Sequence, residues 1–197
     1  HPKPLVIGDV QYPARIFSAW TASELAAIGI IEVTFDDSNK KDEQWYINTN
    51  QTYTYDADAG TVTATYGTAT AKAHADTTWS QQDSDNGDLP SDKSVGDVKV
   101  EGLKTILIRT VKAQAEHLLD QTDWYITRKA EKNTAIPSAI TTWRDGIRTK
   151  QAAMETLITN ASNTPALETL YKYVNTADEG EPVVMARPLG EFPELGS

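Results

Sequence analysis

A chain of 197 residues that is 39% hydrophobic can bury one sizeable core, or one small domain with an appendage, so one or two domains are expected. It contains no cysteine, which removes disulfides, thiolate chemistry and cysteine-ligated zinc or iron–sulfur centres together. Its net charge of -10 opposes the cationic neutralisation of phosphates on which general nucleic-acid binding depends, so no nucleic-acid partner is expected.

No stretch approaches the roughly 18 apolar residues needed to cross a bilayer, and no basic start leads into an apolar run with a small-residue cleavage site. No membrane partner is expected. The chain begins His1-Pro2 without a methionine, so an initiator or a short leader is expected to precede it.

Pro2, Pro4, Gly8 and Pro13 describe an extended opening segment, with a short strand or turn at Gly8 to Pro13. Thr21 followed three residues later by Glu24 is a capping box. Leu25 and Ile28 supply the apolar face of a helix of barely two turns, and Gly29 stands where it should break. Ile30 to Phe35 then alternates and is β-branched, as a half-buried strand requires.

After an acidic turn at Asp36 to Glu43, strands are expected at Trp45 to Ile47, Thr52 to Tyr55 and Thr61 to Tyr66, with Asp58-Ala59-Gly60 as a hairpin loop. Together with Ile30 to Phe35 they would make an antiparallel meander. Tyr53 and Tyr55 share a face, and so do Thr61, Thr63 and Thr65; a Tyr/Thr-rich face is more often cross-strand packing than a site for sugars or another strand.

Residues 80–97 are polar, acidic and turn-forming, and are expected to be a linker. Asp83, Asp85 and Asp88 invite a calcium reading, but counting from Asp83 puts Gly87 at loop position five and Ser94 at position twelve, which is not the EF-hand pattern.

Leu103, Ile106, Leu107, Val111, Ala115, Leu118 and Leu119 then keep helical spacing, the strongest periodicity in the chain. Pro137 suits a first helical turn, and Ile140, Trp143, Ile147, Met154, Leu157 and Ile158 carry a second apolar stripe. A third short helix is expected from Pro165, bearing Leu167, Leu170 and Tyr171. From Ala177 onward no periodicity remains, so the tail is expected to be an extended arm ordered only where a neighbour holds it.

Catalytic chemistry finds no foothold in these residues. His1, His74 and His117 are far apart in sequence, and His117 lies in the long helix beside Leu118, where a surface or packing role is the ordinary one. No Gly-x-Ser-x-Gly elbow, phosphate-cradling glycine loop, dinucleotide fingerprint or His-Glu-x-x-His occurs. No catalytic residue, metal site or cofactor is assigned, and the chain is not expected to be an enzyme.

Between Asp120 and Lys150 the local balance is basic: Arg128, Lys129, Lys132, Arg144, Arg148 and Lys150 outnumber Asp120, Asp123, Glu131 and Asp145. Leu118-Leu119-Asp120-Gln121-Thr122-Asp123-Trp124-Tyr125 forms a polar elbow between the two amphipathic helices. Asp123 is expected to cap the following turn and Trp124 to fold back on the leucine stripe. Trp124, Tyr125, Arg128, Trp143, Arg144 and Arg148 are the candidate partner-binding residues, because tryptophan and arginine dominate interface hot spots and arginine grips carboxylates in two places. Packing of Trp124 and Trp143 within the hairpin is the competing use of both rings.

The pattern Leu119-x-x-Thr122-Asp123-Trp124-Tyr125-x-x-Arg128, with Ile136-Pro137, Trp143-Arg144 and Ile147-Arg148, resembles the C-terminal module of tailed-bacteriophage tail-fibre assembly and related tail proteins. Gly8-Asp9-Val10-Gln11-Tyr12-Pro13 and the Glu24 to Ile30 stretch are similar to N-terminal segments of such proteins. Residues 36–100 carry no likeness, and Trp143-Arg144 stands where the family often has Tyr-Arg. The resemblance implies a structural or adaptor part of the virion, at the baseplate or tail-fibre attachment. Its partners would be other phage tail proteins, in multiple copies or as a homo-oligomer. A tail-fibre assembly chaperone is the nearest alternative, and receptor or glycan binding through Tyr53, Tyr55 and Tyr66 is a third.

The expected fold is α+β: a β-rich antiparallel N-terminal domain with one short helix (1–79), an acidic linker (80–97), a helical hairpin (98–176) and an extended tail (177–197).

Overall fold

The computed structural model describes residues 3–49 and 51–196 of the chain. The expected extended start at His1 and Pro2 therefore lies outside the described residues. The fold is α+β, with helices and strands in separate small sheets, and the chain divides into two compact units, His1–Thr70 and Ala71–Ser197.

The first unit opens with β1 (Leu5–Ile7) and β2 (Val10–Tyr12), an antiparallel hairpin in which Ile7 faces Val10 across a two-residue loop. Gly8 takes φ +59 there, the conformation demanded of the first loop residue in a type II′ turn, which glycine alone adopts without strain. Two short helices follow rather than one. The unforeseen α1 (Ile16–Ala19) is a single turn whose Ile16 is buried.

Helix α2 (Ala22–Ala26) begins at the capping box. The Glu24 amide donates to the Thr21 hydroxyl at 3.3 Å, and the Thr21 amide donates to the Glu24 carboxylate at 2.8 Å. It ends in a Schellman motif: the Ile30 amide donates to the Leu25 carbonyl and the Gly29 amide to that of Ala26, with Gly29 at φ +84.

Strand β3 (Val33–Asp36) runs parallel to β6 (Thr61–Thr65), while β5 (Thr52–Asp56) pairs antiparallel with β6 on its other side. The expected antiparallel meander is thus corrected. The stretch between β3 and β5, which includes the short β4 (Tyr46–Ile47), is a crossover rather than a tight turn, so β3 reaches the far edge of β6 in parallel. Val33, Phe35, Tyr53, Tyr55, Val62 and Ala64 share one face by register and the threonines line the other. The short strand β7 (Thr70–Ala71) lies where the first unit gives way to the second in sequence.

In the second unit β8 (Thr77–Thr78) pairs antiparallel with β9 (Val98–Val100), and the expected linker lies between them. It is folded. Ser80 and Asp83 form a second capping box that starts α3 (Gln81–Asp85), and Lys99 reaches Asp83 at 2.5 Å. The Trp79 amide donates to the Asp97 carbonyl and the Gly96 amide to that of Trp79. The Ser-x-x-Asp signal of a helix start lay hidden in a composition that reads as spacer.

Helix α4 (Leu103–Asp120) buries Leu103, Leu107, Val111 and Ala115, one residue every fourth position. Gly102 at its N-cap has no side chain to offer, and a remote group does the capping. Asp76 accepts from the Gly102 amide at 2.6 Å and from the Thr105 hydroxyl at 2.8 Å, while the Leu103 and Lys104 amides donate to the carbonyls of Ala73 and His74. The Ala75 backbone comes so near that a Cβ on Gly102 would sit 2.3 Å from the Ala75 carbonyl carbon.

Helix α5 (Asp123–Lys132) follows almost at once and ends at Asn133, which takes φ 50. Helix α6 (Ser138–Asn160) packs along α4 and buries Ile140, Trp143, Arg144, Ile147, Met154 and Ile158. Each of the fully buried aliphatic side chains contributes about 1.5–3 kcal/mol by leaving water. In α7 (Thr164–Tyr171) Asn163 caps the Ala166 amide at 2.9 Å, Leu167 is buried, and the Thr164 hydroxyl donates to the Lys72 carbonyl at 2.6 Å.

The tail is not a free arm. It forms an antiparallel pair, β10 (Val174–Asn175) with β11 (Met185–Ala186), and then returns to the helices. Leu189 is 1% exposed and its amide donates to the Leu170 carbonyl. Phe192 packs on Ala115, Trp143 and Ile147, and the Trp143 indole donates to the Pro193 carbonyl at 2.9 Å. The tail is therefore held by its own chain. A few isolated apolar residues, spaced without period, suffice to seat it.

Candidate docking surface

The elbow between α4 and α6 is a helix in its own right, held at its first turn by a buried arginine. Arg144 is 7% exposed, and its Nη1 donates to the Leu119 carbonyl at 2.8 Å and to the Thr122 hydroxyl at 2.7 Å, and lies 2.7 Å from the Asp123 carboxylate. The Thr122 hydroxyl in turn donates to the Leu119 carbonyl at 3.0 Å. One guanidinium thus closes the last turn of α4, orients the buried N-cap of α5 and meets the acid of its first turn. A buried cation is tolerable only with such a full set of partners.

Arg144 is accordingly not a partner contact. Trp143 is not one either, since it is buried in the cluster with Ala115 and Ile147 and covered by the tail. Arg148 stays at the surface, but it already pairs with Asp145 one turn back at 3.1 Å, beside a groove lined by Leu119, Gln151, Ala152 and Glu155. Asp123 does not cap; Thr122 occupies the N-cap, and Asp123 is the first helical residue, turned to Arg144.

The remaining three candidates come together on α5, none of whose residues is buried. Trp124 is 52% exposed and does not fold back on the leucines. It stacks on Tyr125, ring centroids 3.7 Å apart with an interplanar angle of 29°. The Arg128 guanidinium lies over both rings, 4.8 Å from that of Trp124 and 5.1 Å from that of Tyr125. Its Nε is shielded from water and has no hydrogen-bond acceptor among the described residues.

Lys129 and Lys132 follow on the same helix. Among the described residues none of Arg128, Lys129 and Lys132 has an ion-pair partner. Of the two acids on α5, Asp123 is engaged by Arg144, which leaves Glu131 alone to offset three cations. In the sequence the two lysines stand out only through the local basic balance, and the further signal is that Lys129 lies four residues after Tyr125 and Lys132 eight after Trp124.

The tyrosine face of the first unit is exposed as well, Tyr53 by 61% and Tyr55 by 57%. Tyr66 is set apart from them, half-buried just past β6 with the Lys40 ammonium 5.6 Å from its ring centre. Among the described residues no cluster of three or more His, Asp or Glu could hold a metal ion, and no helix is long and apolar enough to cross a membrane. No protein-family model, no curated protein and no solved structure matches the chain.

Proposed function

We propose that the chain is a structural or adaptor component of a tailed-phage virion, at the baseplate or tail-fibre attachment, and that it works by non-covalent docking through α5. The observation that carries the docking is the cluster of exposed Trp124 with half-buried Tyr125 and Arg128, on a helix whose first turn is pinned from inside by Arg144. A stacked aromatic pair flanked by a guanidinium that has no ion-pair partner among the described residues is costly to leave facing water, and such groups are the usual anchors of interfaces. The rigid mounting removes part of the ordering cost of association.

The phage setting rests on the Thr122-Asp123-Trp124-Tyr125-x-x-Arg128 and Trp143-Arg144 motif, which resembles that of tail-fibre assembly and related tail proteins. That motif lies wholly in the helical part of the second unit, which also favours the chaperone reading. Mass spectrometry of purified, intact particles from the source culture separates the two. Stoichiometric presence in a small multiple of three supports a resident tail part. Presence only in infected lysate, bound to a fibre protein, supports the chaperone, and absence from both overturns the phage assignment.

A further inference from the structure

The docking reading of α5 says nothing about what the helix takes hold of, and the chemistry of its exposed stripe narrows that. Trp124, Arg128 and Lys132 stand four residues apart in succession, so they form one row along the helix. Successive members are separated by about 6 Å along the axis, at 1.5 Å per residue. Alternate residues of an extended strand are about 6.7 Å apart and point to the same side. An extended segment laid along α5 therefore matches the row with every second side chain.

The charges select the kind of segment. In a chain of net charge -10, this row holds two cations without ion-pair partners among the described residues, and Lys129 stands beside it as a third. Arg128 is prepared for an anion in a further way. The rings beside it and the shielding of its Nε have stripped part of its hydration, so less water must be displaced when an anion arrives at its terminal nitrogens. The open face of Trp124 offers an apolar contact one step along the row.

Resting on the docking reading, we infer that α5 binds an extended, carboxylate-bearing segment of a protein partner with the pattern apolar-x-Glu-x-Glu. The apolar side chain covers Trp124, the first carboxylate is gripped end-on by Arg128 in two parallel hydrogen bonds, and the second meets Lys132. A polyphosphate backbone fits less well, because the acidity of the rest of the chain repels a long anion while a short segment touches only the basic row.

The test titrates the full chain with the blocked peptide Gly-Leu-Thr-Glu-Thr-Glu-Gly and with its counterpart carrying Gln for both Glu. The indole N–H resonances of Trp124 and Trp143 are followed by NMR, the first assigned through Trp124→Phe. The acidic peptide should move the Trp124 signal to saturation and leave that of Trp143 in place. The Gln peptide should bind roughly tenfold more weakly or worse, as should the acidic peptide to Arg128→Lys, which keeps the charge but loses the planar fork and the stacking.

An unmoved Trp124 signal overturns the inference, as does equal binding of the two peptides. Undiminished affinity in Arg128→Lys also overturns it, by reducing the contact to charge alone. Tighter binding of oligo(dT) than of the acidic peptide at about 0.15 M salt assigns the row to nucleic acid instead. Because none of these outcomes depends on where the protein resides, failure here leaves the particle mass spectrometry to decide the virion assignment by itself.

Discussion

The Arg144 guanidinium on α6 donates from Nη1 to the Thr122 hydroxyl at the head of α5, 2.7 Å away, and both side chains are buried. Thr122 immediately precedes α5 and Arg144 lies beyond it within α6, 22 residues later, yet this contact fixes the start of α5 to the hairpin. The helix that presents Trp124 and Arg128 is therefore aimed from inside the fold.

Arg144→Ala should lower unfolding stability by about 2–4 kcal/mol, because it removes the charged donor shared by the Leu119 carbonyl, the Thr122 hydroxyl and the Asp123 carboxylate and opens a void, even though the Thr122 hydroxyl still donates to the Leu119 carbonyl. Asp123→Asn should cost at most about 1 kcal/mol, since that carboxylate is more than half exposed. Chemical denaturation of the two variants checks the ranking. Equal losses would show that the exposed acid, not the buried network, holds the elbow.

Charge reversal separates anchor from surface among the three candidate arginines. Arg128→Glu should leave the midpoint of thermal unfolding within a few degrees of the parent while abolishing assembly with its partner, because Arg128 has no polar contact to lose among the described residues. Arg144→Glu should fail to fold, and Arg148→Glu should change stability by less than about 0.5 kcal/mol, its pair with Asp145 being exposed. Normal assembly of Arg128→Glu would sink the docking role of α5.

Trp143→Phe keeps an aromatic ring in the core but loses the hydrogen bond to the Pro193 carbonyl, with an expected cost of about 0.5–1.5 kcal/mol. The local consequence should exceed the global one. Amide exchange at residues 189–196 should quicken while that of α4 and α6 stays slow. Unchanged exchange in the tail would mean that Leu189 and Phe192 seat it without the indole.

Gly102→Ala should be disruptive for a reason unrelated to glycine's flexibility. The new methyl would fall 2.3 Å from the Ala75 carbonyl carbon, which is backbone and cannot swing aside, so a loss of about 1–3 kcal/mol or more is expected in denaturant unfolding.

The acid sensitivity of the same junction follows from Asp76. Its carboxyl is held below the ordinary carboxylate range, first by the Gly102 amide and then by the Thr105 hydroxyl. A lowered pKa in the folded state means that the contribution is complete above the unfolded value of about 3.9, and is lost as pH falls through the folded one. Asp76→Asn should therefore weaken the protein at pH 7 and converge with the parent as the solution is acidified below that range. A gap that persists unchanged in strong acid would exclude Asp76 as the source.

Local signals were legible wherever a short stretch of chain decides its own structure. Thr21-x-x-Glu24 with Gly29 delimits α2, and the four-residue rhythm from Leu103 to Ala115 marks α4, because capping and amphipathic burial are written within a few turns. The elbow was legible in part. Ile140, Trp143, Arg144 and Ile147 fall on one helical stripe, so position argued for burial of Arg144 while its charge argued for exposure. Position prevailed because Leu119, Thr122 and Asp123, more than twenty residues earlier, supply the partners that make burial affordable.

By itself, then, the sequence determined α2 with its capping box, the long helices α4 and α6 and the short α7, the absence of thiol chemistry and the presence of tryptophans and arginines near the elbow. Only the tertiary structure decided that β3 lies parallel to β6, that residues 80–97 close a hairpin, that the tail returns to Trp143, and that Trp124 faces outward with Arg128 half-buried beside it while Trp143 and Arg144 face in. Each of these depends on two segments distant in sequence meeting. The free energy of such a meeting belongs to the pair, and no local pattern in either segment carries it.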